Sequence, residues 1–149
     1  MSEIHECLTV LCPFDQIPAA SESYVASLAD VDGKRVVALR VPFGDLIVER
    51  RADLALKHAR SYPGYEIMDI TWQAHGGGPY PVFHGTLSVE EGLGMSCRLD
   101  LDGSYAPPLN LAGAAFDAGH HIAIEAARAL LDEIRLGLEF AFQTGKTMV

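Results

Sequence analysis

Residues 65–74 read Tyr65-Glu66-Ile67-Met68-Asp69-Ile70-Thr71-Trp72-Gln73-Ala74. Met68, Ile70 and Trp72 fall on one side of an extended chain, and Asp69, Thr71 and Gln73 on the other, because successive side chains of a strand point to opposite faces. Such a segment is a strand with one wet face and one dry face. The same alternation returns twice. Phe83, Gly85, Leu87 and Val89 share a face against His84, Thr86 and Ser88, and Cys97, Leu99 and Leu101 alternate with Arg98, Asp100 and Asp102. Tyr62-Pro63-Gly64, Gly76-Gly77-Gly78-Pro79 and Glu90-Glu91-Gly92 punctuate these runs. Strands joined by short turns with no helix between them pair antiparallel.

Towards the C-terminus the period changes. Beyond Pro107-Pro108, Ala123, Ala127, Leu130, Ile134, Leu138 and Ala141 recur at spacings of three and four, which is one apolar stripe on a helix of about six turns. Glu125, Arg128, Asp132, Arg135 and Glu139 form its polar side. Towards the N-terminus, Ile4, Leu8 and Val10 suggest a first strand, broken by Pro13-Phe14-Asp15. Asp15 is placed to cap a helix with Pro18 in its first turn, running through Tyr24, Val25 and Leu28 to the turn at Asp32-Gly33. Arg35 to Val41 is a β-branched run expected to stop at Pro42, and Gly44-Asp45 reads as a hairpin turn into Leu46-Ile47-Val48. A half-apolar sheet and a long amphipathic helix cover each other. The expected fold is therefore α+β, one domain over residues 1–149, with six or seven antiparallel strands curved around a long C-terminal helix. A ligand pocket is expected between sheet and helix.

Composition narrows the function classes. The chain has 149 residues, 49% of them hydrophobic, and a formal charge of −9. At this length roughly 70% of the unfolded surface can be buried without a disulfide or metal staple. The acidic balance argues against nucleic acid, which requires a basic face. Nothing approaches the apolar length of a membrane span, and Met1-Ser2-Glu3-Ile4-His5-Glu6 lacks the features of a signal peptide. Cys7, Cys12 and Cys97 form no CxxC pair and suit a reducing compartment, so a cytoplasmic location is expected.

Three motifs resemble chemistry without completing it. His75-Gly76-Gly77-Gly78 is similar to the oxyanion loop of some esterases, but the chain has no Gly-x-Ser-x-Gly elbow, and Ser96 lies in Gly94-Met95-Ser96-Cys97-Arg98. Gly145-Lys146-Thr147 has Phe140 where a phosphate loop needs its first glycine and reads as a frayed tail. His5, His58, His75, His84, His120 and His121 include no i, i+4 pair; the adjacent His120 and His121 point apart in the first turns of the helix. His75 and His84 flank one hairpin loop, and no cofactor or metal is expected.

The order strand, helix, antiparallel sheet, long helix resembles the START-like helix-grip superfamily, also called SRPBCC or birch-pollen-allergen-like, over nearly the whole chain. The most specific stretches are Arg98-Leu99-Asp100-Leu101-Asp102-Gly103-Ser104-Tyr105-Ala106-Pro107-Pro108, followed by Gly113, Phe116-Asp117 and His121-Ile122-Ala123, and Ile70-Thr71-Trp72-Gln73-Ala74 with Pro81-Val82-Phe83. They resemble an uncharacterised bacterial subgroup of it. The superfamily usually carries two short helices after the first strand, where this chain offers one. The resemblance implies lipid carriers, hormone receptors, polyketide cyclases or ATPase co-chaperones, so fold does not select among them.

The leading expectation is a module that binds a hydrophobic small molecule (a lipid, polyketide or aromatic compound), with Met68, Trp72, Phe83, Leu99 and Tyr105 lining the pocket. One alternative is an enzyme of the cyclase, dehydratase or isomerase kind using Glu66, His84 or Tyr105 as acid or base. Glu66 shares the parity of Met68 and Trp72 and so belongs at the pocket rim, with Arg50 and Arg98 as ionic partners by charge and Arg98 on the outer face. The other alternative is an interaction module of the co-chaperone kind. An open interior with an inward carboxylate would favour catalysis; a filled one, surface interaction.

Purified protein is expected to carry no stoichiometric zinc, iron or nickel by elemental analysis. One equivalent surviving dialysis would make His75 and His84 the first ligands to test.

Overall fold

The computed structural model describes residues 2–43, 45–76, 82–106 and 114–147. It contains β1 (Ser2–Val10), α1 (Ile17–Ser27), β2 (Ala29–Val31), β3 (Lys34–Phe43), β4 (Leu46–Tyr62), β5 (Tyr65–Ala74), β6 (Val82–Glu91), β7 (Cys97–Ala106) and α2 (Ala114–Thr147). The strands form one seven-stranded antiparallel sheet in the order β1-β7-β6-β5-β4-β3-β2. Gly44, Gly77-Gly78, Pro79, Pro81, Pro107-Pro108 and Gly113 lie outside the described residues.

Several boundaries differ from the sequence reading for identifiable reasons. The helix near Asp15 begins after a 3-10 turn at Phe14–Gln16, and Gln16, not Asp15, is its N-cap, with no side-chain cap bond and Pro18 in the first turn. Proline fits there because the first N–H groups of a helix have no intrahelical acceptor. Before Asp32-Gly33 the chain forms the short β2. Both turn residues have positive φ, 54° and 79°, as a two-residue type I′ hairpin requires. β3 runs through Pro42 to Phe43, past the end of β2, so this segment has an open edge. Proline is admitted on an edge strand, where its missing N–H costs no ladder bond. β4 is 17 residues long and reaches Tyr62, well beyond Val48. Its polar residues 49–51, 57, 58, 60 and 61 hide the alternation, and a register shift between His58 and Arg60 breaks it. Pro63-Gly64 then turns the chain, with Gly64 at φ 71°.

α2 has 34 residues, about nine turns at 3.6 per turn rather than six. His120 and His121 fall in its second turn, and Gly145 to Thr147 continue it, so this stretch is helix and not a tail. The expected stripe faces inward: Ala127, Leu130, Ile134 and Leu138 are fully buried, joined by Leu131. α2 packs on β1, on β3 and on α1. Four strands separate β1 from β3, roughly 24 Å across a flat sheet at about 4.8 Å per strand. A helix about 10 Å wide reaches both only because the sheet curls around it. The space under the arch is filled by Ile70, Trp72, Phe83, Leu87, Leu99, Leu101 and Tyr105, all buried. This is the helix-grip arrangement.

On the outer side of α2, Arg128 bridges to Glu6 of β1 at 2.9 Å, and Glu139 accepts from the Leu11 N–H at 2.8 Å. These exposed contacts orient the helix more than they stabilise it. α1 crosses α2 where Gly137 stands. A Cβ there would collide with the Tyr24 ring, so glycine permits the two helices to touch. The buried Tyr24 hydroxyl has no hydrogen-bond partner among the described residues, and burial, then the Glu133 charge, push its phenol up. No disulfide joins the described cysteines; Cys7 is exposed, while Cys12 and Cys97 are buried. Burial, and next the neighbouring Cys97, push the Cys12 thiol up to about 11, and burial raises Cys97 as well.

Leu130→Ala is expected to cost about 2–5 kcal/mol by denaturant unfolding, since it leaves a cavity beneath the arch. Gly137→Ala is expected to destabilise by about 1–3 kcal/mol, because overpacking against Tyr24 outweighs the gain in helix propensity. An unchanged midpoint for either would disprove the packing assigned to that face. In the folded protein an alkylating reagent at mildly alkaline pH is expected to label Cys7 and spare Cys12 and Cys97, read by mass spectrometry, because thiolate is the reactive form.

Candidate functional site

The inner face of the sheet is large side chains around a pair of glycines. Across the sheet the register runs Leu56, Ile70, Gly85, Gly103, Ile4. A Cβ at Gly85 or Gly103 would overlap the facing strand's backbone and come within 2.9 or 2.6 Å of the Phe83 ring. The glycine pair makes a shallow seat, and Phe83 lies in it. Trp72 stacks on Phe83 with ring centroids 3.9 Å apart and planes 16° from parallel. This aromatic pair closes the middle of the arch.

Nearer the β4–β5 turn the arch stays open. A cleft of about 490 Å³ lies between α1 and the inner face of β3, β4 and β5. That volume is within the range of small-molecule sites. Ile17 and Val25 of α1 form one wall, and Leu56 and Met68 form the floor. Ser21, buried in the α1 wall, has a hydroxyl with no hydrogen-bond partner among the described residues. At one side stands Arg35, of inner parity with Val37 and Leu39. Its Nη1 donates to the carbonyls of Leu28 at 3.0 Å and Ala26 at 3.4 Å, closing the C-terminal end of α1.

At the other side a carboxylate is buried. Glu66 is 6% exposed. Its Oε1 accepts from Ser61 Oγ at 3.1 Å and lies 3.0 Å from His58 Nε2, which is itself 2.7 Å from Ser61 Oγ. Since the Ser61 proton goes to Oε1, its oxygen is the acceptor toward His58, and Nε2 carries the proton. Both contacts use Oε1, which leaves Oε2 without a partner among the described residues. The His58 ring is more than half exposed, so the buried carboxylate connects to solvent through it.

The expected site residues separate. Met68 lines this cleft. Trp72 borders a second depression, of about 440 Å³, over β3 to β6. Phe83, Leu99 and Tyr105 are at most 1% exposed and line neither. Glu66 and His84 lie on opposite faces, since Trp72 pairs with Phe83 on the inner face and Thr71 with His84 on the outer. They cannot act on one ligand. Arg98 does not reach Glu66; it pairs with Asp100 at 3.1 Å on the outer face. His75 binds Asp53 at 2.6 Å. Among the described residues no three His, Cys, Asp or Glu side chains gather as a metal site, and no helix is long and apolar enough to cross a membrane.

The residues that sequence reasoning missed are His58, Ser61, Arg35 and the α1 wall. The available signal is the inner parity that His58 shares with Leu54 and Leu56, which the polar residues of β4 beyond Val48 obscure.

No protein-family profile matches the chain, and no curated protein matches it in sequence. Solved structures do match in shape. The Zhui aromatase/cyclase from a Streptomyces species is 14% identical with a TM-score of 0.53, covering 94% of this chain and 93% of that one. A conserved protein from Geobacillus kaustophilus is 11% identical at a TM-score of 0.54, covering 96% of each. A protein from Thermus thermophilus is 11% identical at 0.51, covering 94% of this chain and 99% of that one. At such identities the likeness is one of fold.

Proposed function

We propose that the protein binds a hydrophobic small molecule, a lipid, polyketide or aromatic compound, in the cleft between α1 and the inner face of the sheet. One observation carries this reading: the arch is filled under Phe83, Leu99 and Tyr105 but open at Leu56 and Met68, where an apolar floor meets a buried carboxylate. Pockets of this construction, mostly apolar with a few converging polar groups, hold small ligands by area and orient them by hydrogen bonds. Met68 supplies an adaptable surface. Trp72 stands at the inner end of the same strand face, within reach of a ligand that extends past Met68, and Phe83, Leu99 and Tyr105 back that end. The open cleft argues against a purely surface-acting, co-chaperone-like role. The aromatase/cyclase among the fold neighbours makes a polyketide-like ring system a natural first ligand class to test.

Trp72 is the chain's single tryptophan and is buried in the stack. Titration with aromatic ring compounds and with fatty acids is expected to change its emission. Calorimetry should then show Met68→Ala and Trp72→Ala binding about tenfold or more weakly, from the apolar area each removes. If no compound in a broad apolar panel gives heat or an emission change, the binding reading fails and a surface role replaces it.

A further inference from the structure

We propose, building on that binding reading, that the cleft is catalytic: Glu66 is a general base that moves a proton to and from the carbon next to the carbonyl of an apolar, ring-bearing ketone. The placement of three groups around one apolar floor points to this chemistry. Among the described residues Glu66 is held by Ser61 at 3.1 Å and His58 at 3.0 Å through Oε1, with no partner on Oε2. Two contacts on one oxygen fix the orientation of the group and leave the other for a substrate. Arg35 lines the same cleft. Its Nη1 is tied to the end of α1, which holds the guanidinium in place with Nη2 and Nε having no partner among the described residues. Leu56 and Met68 supply the apolar floor of the same cleft.

The step balances without a further reactant. Oε2 takes the proton from the carbon beside the carbonyl. The C–H electron pair becomes the enolate double bond, and the negative charge collects on the carbonyl oxygen, opposite the Arg35 guanidinium. Glu66 then returns a proton to the same carbon or, in a conjugated substrate, to a vinylogous one. His58 acts through Glu66 as a positioning residue. It holds Oε1 through its Nε2–H, while the proton taken up on Oε2 exchanges with solvent at the open side of the cleft. The substrate class is therefore an apolar cyclic ketone, and the reaction class is enolisation or double-bond isomerisation.

The test uses β-tetralone in deuterated buffer with the full chain. NMR follows loss of the protons flanking its carbonyl, and calorimetry follows binding. The wild type should exchange them faster than buffer. Glu66→Gln, which is isosteric, should bind β-tetralone within about threefold of wild type yet lose exchange by roughly a hundredfold or more, the usual range for removing a general base. His58→Gln should slow exchange about tenfold while changing affinity by no more than about threefold, a split between binding and turnover that a merely structural role would not produce. If Glu66→Gln fails to fold by circular dichroism, Arg35→Gln serves instead, with exchange falling by far more than affinity, and equal loss of the two overturns the proposal. Wild-type protein that binds β-tetralone but exchanges it no faster than buffer overturns the catalytic proposal and leaves the binding reading standing, as does a Glu66→Gln variant that exchanges like wild type. No binding of β-tetralone overturns the catalytic proposal, while the binding reading is decided by the broad apolar panel.

Discussion

Everything in this molecule depends on a one-sided sheet having to cover its apolar face with a single helix. Seven antiparallel strands present most of their buried residues to one side, and α2 is the long element that answers them. Because a helix is narrow and seven strands are wide, the sheet must curl until β1 and β3 both reach α2. Curling brings inner-face side chains together, and the Gly85–Gly103 pair is where the sheet yields. With no Cβ on either strand, the backbones of β6 and β7 bend closely and leave a seat for Phe83, on which Trp72 stacks. The aromatic pair is thus a consequence of the curvature rather than a decoration of the core.

The same constraint explains why a cleft exists and where. Large buried side chains occupy the arch at its centre. At the β4–β5 end the cover changes from α2 to α1, a helix of 11 residues that leans on α2 through Tyr24 and Gly137. A short helix propped on another helix, and not laid flat on the sheet, leaves a gap above Leu56 and Met68. The strand ends beneath it are where polar residues begin, so the gap acquires Glu66, His58 and Ser61 on one side and Arg35 on the other. An apolar floor and a polar rim follow from the edge of the core passing through the cleft.

His84 illustrates why candidate residues must be placed before they are assigned roles. It has the chemistry of an acid–base group and lies on β6, close to Trp72 in sequence and register. Parity puts it on the outer face, so the sheet itself separates it from Glu66. His58, passed over in the sequence, is the histidine that reaches the carboxylate, because the register of β4 against β5 brings residues 58, 61 and 66 around one hairpin end.

What the sequence by itself determined was the periodic part. The alternation of residues 65–74, 83–89 and 97–101 set strand identity and inner face, and the stripe from Ala123 to Ala141 set the buried side of α2. Periodicity is a local property, and one buried face per element is enough to impose it. The inward parity of Glu66 was legible for the same reason. The extent of β4 and α2, the passage of β3 through Pro42, the short β2 and the site partners were not. A strand end rich in Arg, Lys and His shows no dry face to read, and a proline is allowed or forbidden according to whether a neighbouring strand covers its edge. Whether a buried residue lines a cleft or fills a core depends on what stands across from it, here a glycine pair for Phe83 and a propped helix for Met68. That distance is fixed by packing between segments remote in the chain, which only the tertiary structure decides.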